Sequence, residues 1–362
     1  MNGLNLSIRK PSYPKKWFSV NDEFSIDLKD YTIIRQLGTG SFGSVNLVSY
    51  NGRIYAMKNI SHAGSVMDII KNETSTFIFL NGIKELGVII PELYFIFQSS
   101  ESHVHIIMEA VNGEELYNII NSHIMNEKIL TTFEILSLLI RISYRLKLLH
   151  DYGIIHYDLK PENIMINDTM IKFIDFGSSC ATEISSDFCY SHFKGTDGYV
   201  SPEMFHLKKN KEEDIKIGIG NDIWGLGVII YLLFEQKTVP LDETSIPNIE
   251  NIKYDRINSI LSEELNPYLR ESEAVADTKY IFNHTDIRVY ELIKDTLINN
   301  VFVDNELRIT SIDLFNKLSY ILNEYGYEYD ITNDEIIKFE IAVKEGGYNK
   351  YLQTYLQLKK IQ

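Results

Sequence analysis

From Tyr31 onward the pattern of apolar and polar positions turns strand-like. The runs are Tyr31–Leu37 (YTIIRQL), Ser44–Tyr50 (SVNLVSY) and Arg53–Ile60 (RIYAMKNI). Short apolar-rich runs bounded by Gly and Asn-Gly turn signals predict strands. Gly38, Gly40 and Gly43 separate the first two runs, and Asn51-Gly52, a strong hairpin pair, separates the second from the third. A helical stretch follows from Ser65 to Leu80, then two more strands near Leu93–Gln98 and His105–Glu109, so a small sheet with one helix is expected before the linker Val111-Asn112-Gly113. Beyond it the pattern turns mostly helical. The clearest helix spans Thr132–His150, where Ile135, Leu138, Leu139, Ile142, Leu146 and Leu149 keep 3-4 spacing behind the capping-box pair Thr131 and Glu134, with Gly153 as stop signal. Short strands Ile164–Ile166 and Ile171–Ile174 flank the turn residues Asn167 and Asp168. The expected class is α+β, with a small β-rich lobe and a larger helical one. Residues 1–30, broken by Pro11 and Pro14, read as an arm packed on the domain, and residues 323–362 as a helical extension.

Composition narrows the function classes. At 362 residues the chain has room for two domains or one large bilobed one, and needs no disulfide or metal staple to hold a core. Thirty-five basic against 50 acidic residues leave a net charge of −15, which argues against nucleic acid as partner. The two cysteines, Cys180 and Cys189, exclude a disulfide framework or a four-cysteine zinc site, and they are expected to be unrelated to one another. No signal peptide is read at the N-terminus, and the longest apolar stretch, Trp224–Phe234, is too short to span a bilayer. The expectation is a soluble, intracellular protein, cytoplasmic (in a host cell's cytoplasm if the source is viral). Frequent Ile, Asn, Lys, Tyr and Phe fit an AT-rich genome.

Four groups of residues carry candidate chemistry. Gly38-Thr39-Gly40-Ser41-Phe42-Gly43-Ser44-Val45 lies between two strands and so reads as a hairpin whose backbone N–H groups can approach phosphate oxygens. Lys58 ends the third strand, and Glu73, on an apolar helical stripe with Ile69, Ile70 and Phe77, needs a cationic partner if buried, for which Lys58 is the natural candidate. The loop His156-Tyr157-Asp158-Leu159-Lys160-Pro161-Glu162-Asn163 combines an acid able to accept a hydroxyl proton, a lysine able to neutralise a phosphoryl group and an amide oxygen suited to a hard cation. Asp175-Phe176-Gly177 follows 17 residues after Asp158, at the end of a strand, where its carboxylate can chelate Mg²⁺.

In this order the motifs resemble those of a eukaryotic-type protein kinase, over about Tyr31 to Leu322. The resemblance implies a bilobal fold (N-lobe 31–110, C-lobe 111–322) and an ATP- and Mg²⁺-dependent serine/threonine protein kinase acting on protein hydroxyls. It implies that Leu37 and Gly38–Val45 cover ATP, that Lys58, paired with Glu73, holds the α and β phosphates, and that Val45, Ala56 and Met165 sandwich adenine. Met108 looks like the gatekeeper, Glu109 to Val111 like the hinge, and Glu115 like the ribose contact. Asp158 is similar to the catalytic base, with Lys160 beside it, and Asn163 and Asp175 to the metal ligands. Phe77, Leu93, His156 and Phe176 would stack, anchored by Asp222. Gly195-Thr196 and Ser201-Pro202-Glu203 resemble the end of the activation segment, with Glu203 pairing Arg308.

One departure matters most. Tyr157 stands where the family has the arginine that reads a phosphorylated activation segment, so basal activity is expected without that phosphorylation. Packing by Phe188, Tyr190 and Phe193 would then hold the segment, with Lys194 the alternative as a substitute cation. A scaffold-only relative is disfavoured because Lys58, Asp158 and Asp175 are all present. A small-molecule phosphotransferase is disfavoured by Lys160-Pro161-Glu162 and by the Gly195–Glu203 segment.

Overall fold

The computed structural model describes residues 14–21, 23–40, 43–61, 67–125, 130–167, 170–182, 194–210, 217–235, 289 and 292–324. The chain divides into two compact units, Met1–Gly82 with Pro91–Asn112, and Ile83–Ile90 with Gly113–Gln362. The class is α+β, with strands dominating the first unit and helices the second.

In the first unit the strands are β1 (Lys15–Ser19), β2 (Thr32–Gly40), β3 (Gly43–Tyr50), β4 (Arg53–Ser61), β5 (Leu93–Ser100) and β6 (His103–Glu109), with helix α1 (Met67–Gly82). They form one antiparallel sheet in the order β1-β5-β6-β4-β3-β2. Packing and strand register sort the faces of β4. Tyr55 and Met57 point into an aromatic cluster with Tyr31, Phe95 and Phe97, onto which Phe24 stacks, its ring 5.7 Å from those of both Tyr50 and Phe95. Ala56 and Lys58 therefore belong to the opposite face.

The sequence reading did not foresee β1. Its five residues carry only Trp17 and Phe18 as apolar signal, and the strand exists because β5 offers an open edge. His105 is 4% exposed; its Nδ1 lies 2.7 Å from Asn59 Oδ1 and its Nε2 2.7 Å from Ser99 Oγ. The neutral ring, donating from Nδ1 and accepting at Nε2, satisfies both contacts.

In the second unit a short β7 (Glu114–Glu115) leads into α2 (Leu116–Met125) and α3 (Thr132–Asp151). The capping box forms as expected: Glu134 N–H donates to Thr131 Oγ1 (3.2 Å) and Thr131 N–H to Glu134 Oε2 (2.9 Å). Ile135, Leu139, Ile142, Leu146 and Leu149 are buried, with Leu138 half-buried at the rim. The chain continues through β8 (Ile154–Ile155), β9 (Ile164–Ile166), β10 (Ile171–Phe173) and β11 (Cys180–Ala181) to helices α4 (Pro202–Asn210), α5 (Gly220–Glu235) and α6 (Ser311–Glu324). Strands pair as β10-β9-β7 and β11-β8. Helix α6 packs on α3, with the Tyr144 and Phe315 rings 5.4 Å apart.

Two differences from the sequence reading stand out. Residues 83–90, assigned there to the sheet lobe, belong to the helical unit, because Leu86, Ile89 and Ile90 are fully buried and Phe173 N–H donates to Ile89 O at 2.8 Å. Cys180, expected to be unrelated to the other cysteine, is disulfide-bonded. The chain's other cysteine, Cys189, lies outside the described residues.

Burial, and secondarily the charge of His103, push the His105 imidazole down to about 4. The unfolded chain binds this proton near pH 6.5 and the folded chain only near 4, so stability from this site is complete above pH 6.5 and lost as the pH falls toward 4. The expected loss is on the order of 2–3 kcal/mol. Thermal midpoints at pH 7 and pH 4.5 should therefore differ more in the wild type than in His105→Gln.

Candidate active site

In the first unit the residues singled out from the sequence gather on one face of the sheet. Pairing puts Val45 opposite Lys58, and Ala56 opposite both Leu47 and Met108, so Val45, Ala56, Lys58 and Met108 share one sheet face. There Lys58 Nζ donates to Glu73 Oε1 of α1 at 2.5 Å. Glu73 is 7% exposed at its side chain, so its charge is met by a cation as the apolar stripe requires. Gly38, Thr39 and Gly40 end β2 and pair with Val45, Ser44 and Gly43 at the start of β3, which is the hairpin read from the sequence. Its tip residues Ser41 and Phe42 lie outside the described residues. Glycine is required at position 43, where a Cβ would lie 1.8 Å from Asn59 O. Leu37 sits at a bulge between Gln36 and Gly38 and is 39% exposed. Glu109 N–H is already donated to Glu92 O at 2.8 Å.

In the second unit the loop His156–Asn163 is built around Asp222 at the start of α5. This carboxylate is wholly buried. Its Oδ2 accepts His156 N–H (2.8 Å) and lies 3.0 Å from His150 Nε2, and its Oδ1 accepts Tyr157 N–H (2.7 Å). Tyr157 is thereby held at φ +63°, a left-handed conformation that non-glycine residues rarely adopt. The kink turns Asp158 into a cluster. Asn163 Nδ2 donates to Asp158 O (2.8 Å) and Oδ2 (3.2 Å), Thr196 Oγ1 donates to Asp158 Oδ1 (2.7 Å), and Lys160 Nζ donates to Thr196 Oγ1 (2.7 Å) while lying 3.4 Å from Asp158 Oδ2.

Asp175 follows β10, and is also left-handed at φ +59°. The preceding Ile174 N–H donates to Asn163 O at 2.9 Å, which ties the end of that strand to the loop bearing Asn163. Phe176 packs on His156 with ring centroids 5.1 Å apart. Because the Asn163 amide nitrogen is engaged by Asp158, the amide oxygen is the atom it has for a cation. The Asp175 carboxylate is exposed, and an amide oxygen and a carboxylate are the donor types a hard ion such as Mg²⁺ takes. Among the described residues no group of three or more His, Cys, Asp or Glu is placed to hold a metal ion. Glu115 pairs in register with Met165, and its carboxyl is pushed up by burial and then by the charge of Glu162.

The expected Glu203–Arg308 pair is present. Arg308 Nη1 donates to Glu203 Oε1 (2.5 Å) and Nη2 to Oε2 (3.3 Å), while its remaining donors reach the carbonyls of Gly220, Val301 and Val303. The sequence reading missed His150 and Asn221. Asn221 bridges the two loops by accepting Ser201 N–H (3.0 Å) and donating to Tyr157 O (3.2 Å), and its position beside Asp222 was the one available signal. Lys194 is 7% exposed, with Nζ 4.7 Å from the centroid of the Tyr157 ring. Burial pushes its ammonium down to about 7.

Comparison with known proteins agrees with this geometry. The protein kinase domain model matches residues 31–317, and the chain belongs to that family. It is 30% identical over 298 residues to the serine/threonine-protein kinase PKH2 of Candida albicans, covering 74% of this chain and 29% of that protein. It is 29% identical over 231 residues to cAMP-dependent protein kinase type 3 of Saccharomyces cerevisiae, covering 62% of this chain and 53% of the relative. Against the dual specificity protein kinase TTK of Mus musculus the identity is 26% over 226 residues, 61% of this chain and 26% of the relative. The chain thus spans between a quarter and about half of the length of these relatives. No helix among the described residues is long and apolar enough to cross a membrane.

Removing one partner of a buried ion pair leaves the other charge desolvated and uncompensated. Glu203→Ala should lower stability by about 3 kcal/mol. A fall in the urea midpoint with an unchanged m-value checks this.

Proposed function

We propose that the protein is an ATP-dependent serine/threonine kinase that transfers the γ-phosphoryl of MgATP to a protein hydroxyl. The observation that carries the reading is the Asp158 cluster. An aliphatic hydroxyl, that of Thr196, already donates to Asp158 Oδ1 and accepts from Lys160 Nζ, both at 2.7 Å. An acceptor serine or threonine needs the same pair of groups: a carboxylate oxygen for its proton and an ammonium for the charge of the transferring phosphoryl group.

In this reading Lys58, braced by Glu73, binds the α and β phosphates beneath the Gly38–Val45 hairpin. Val45, Ala56 and Met165 hold adenine, with Leu37 above it and Met108 as gatekeeper. With the Glu109 N–H spent on Glu92, Val111 N–H is the hinge donor, and Glu115 meets the ribose. Asn163 and Asp175 hold Mg²⁺, which neutralises phosphate charge when bound. Asp158 accepts the acceptor proton at its carboxylate, oriented by Asn163, and Lys160 steadies the phosphoryl oxygens. Positioning and charge supply most of the catalysis in this chemistry, so each group is individually required. The partner is a protein bearing Ser or Thr, met inside the cell.

Asp158→Asn should reduce kcat by on the order of a hundredfold or more while ATP still binds. Asp175→Ala should lose the Mg²⁺-dependent part of ATP binding, measured by calorimetry with and without the metal. Near-normal turnover of Asp175→Ala would refute the assignment. Phosphoamino-acid analysis of a generic basic substrate protein should give phosphoserine and phosphothreonine, and dominant phosphotyrosine would overturn the acceptor class.

A further inference from the structure

We infer that Lys194, seated on the Tyr157 ring, is a positioning residue that docks the strip Lys194–Thr196 onto the catalytic loop by a cation–π contact. The inference rests on the kinase reading of that loop. Three consecutive contacts run along the strip. Lys194 Nζ lies 4.7 Å from the Tyr157 ring centroid. Gly195, at φ +99°, passes so close to the loop that a Cβ there would lie 2.5 Å from Tyr157 O. Thr196 Oγ1 then reaches Asp158 Oδ1 at 2.7 Å. The first contact therefore sets the register of the third.

The ring is itself immobilised. Tyr157 Oη donates to Ile217 O (2.5 Å), its N–H to Asp222 Oδ1 (2.7 Å), and its carbonyl accepts from Asn221 (3.2 Å). The residue is wholly buried, among Ile155, Val200, Met204 and Ile217. A tyrosine face attracts an ammonium most strongly where water is excluded, and Lys194 is 7% exposed. That attraction opposes the effect of burial on the ammonium, which pushes it down to about 7. An arginine on the catalytic loop needs an added phosphate to draw this segment in. Here the polarity is reversed, with the cation on the segment and a neutral aromatic acceptor on the loop, so no modification is needed.

The test uses the full chain, expressed in bacteria and treated with phosphatase. Lys194→Met keeps the length and removes the charge, and Tyr157→Leu removes the ring. Each should lower kcat about tenfold, the range expected for loss of one desolvated cation–π contact, with KM for ATP unchanged. Lys194→Arg, which keeps a cation on the ring, should lose less than threefold. In thermal unfolding the double variant should fall no further than the worse single one, because both remove the same contact. A Lys194→Met enzyme within twofold of wild type, or thermal shifts that add fully, would overturn the proposal. So would a wild type that loses a hundredfold or more on phosphatase treatment, since Lys194 would then be reading a phosphate. The unfolding cycle reads the pair whether or not the chain transfers phosphate, so absence of any kinase activity would strike the function proposed above and leave this contact separately decided.

Discussion

The Asp222 carboxylate organises the loop His156–Asn163. It is wholly buried, and its oxygens take the backbone N–H groups of two consecutive residues, His156 and Tyr157. Amides in such a place cost free energy unless they are paired, and a charged acceptor pairs them more strongly than a carbonyl does. That strength holds Tyr157 in a left-handed conformation its side chain would otherwise disfavour. The kink in turn directs the Asp158 side chain toward Thr196 and frees its carbonyl for Asn163. Asp222 is also within hydrogen-bond distance of His150, whose other ring nitrogen lies 3.0 Å from Ser311 Oγ at the start of α6. The helices that frame the unit and the loop that would perform chemistry thus share one anchor.

The sheet unit solves a different problem with the same economy. A strand buried on both faces must choose what each face carries. In β4 the odd positions Tyr55 and Met57 feed an aromatic core that the N-terminal segment closes with Phe24, and the even positions Ala56 and Lys58 are released for the other face. The ion pair to Glu73 is affordable because both members are largely shielded and each is the other's partner. A lysine fixed in this way is a pre-aimed cation, which a lysine tip free in solvent is not.

Around Tyr157 the two requirements meet. Packing wants a large apolar residue beside Ile155, Val200 and Met204, and the neighbouring segment carries a cation at Lys194. Tyrosine serves both, with its ring edges in the core, its hydroxyl on Ile217 O and its face toward the ammonium. A cation at position 157 would face Lys194 as a like charge in a shielded site, so the residue on the loop and the residue on the segment are chosen together.

The sequence by itself determined the elements and the chemical inventory. Strand-like runs placed β2 to β6, the capping box placed the start of α3, and the order of Lys58, Asp158, Asn163 and Asp175 along the chain carried the family resemblance, because local composition and motif spacing are properties of short stretches of chain. Only the tertiary structure decided the contacts made between distant segments. It paired β1 with the open edge of β5, moved residues 83–90 into the helical unit, recruited His150 and Asn221 to the loop, and set Lys194 on a tyrosine 37 positions earlier in the chain. None of these has a local signature. A short strand forms when an edge is free to accept it, and a buried histidine, asparagine or lysine takes its role from whichever unpaired group the fold brings beside it.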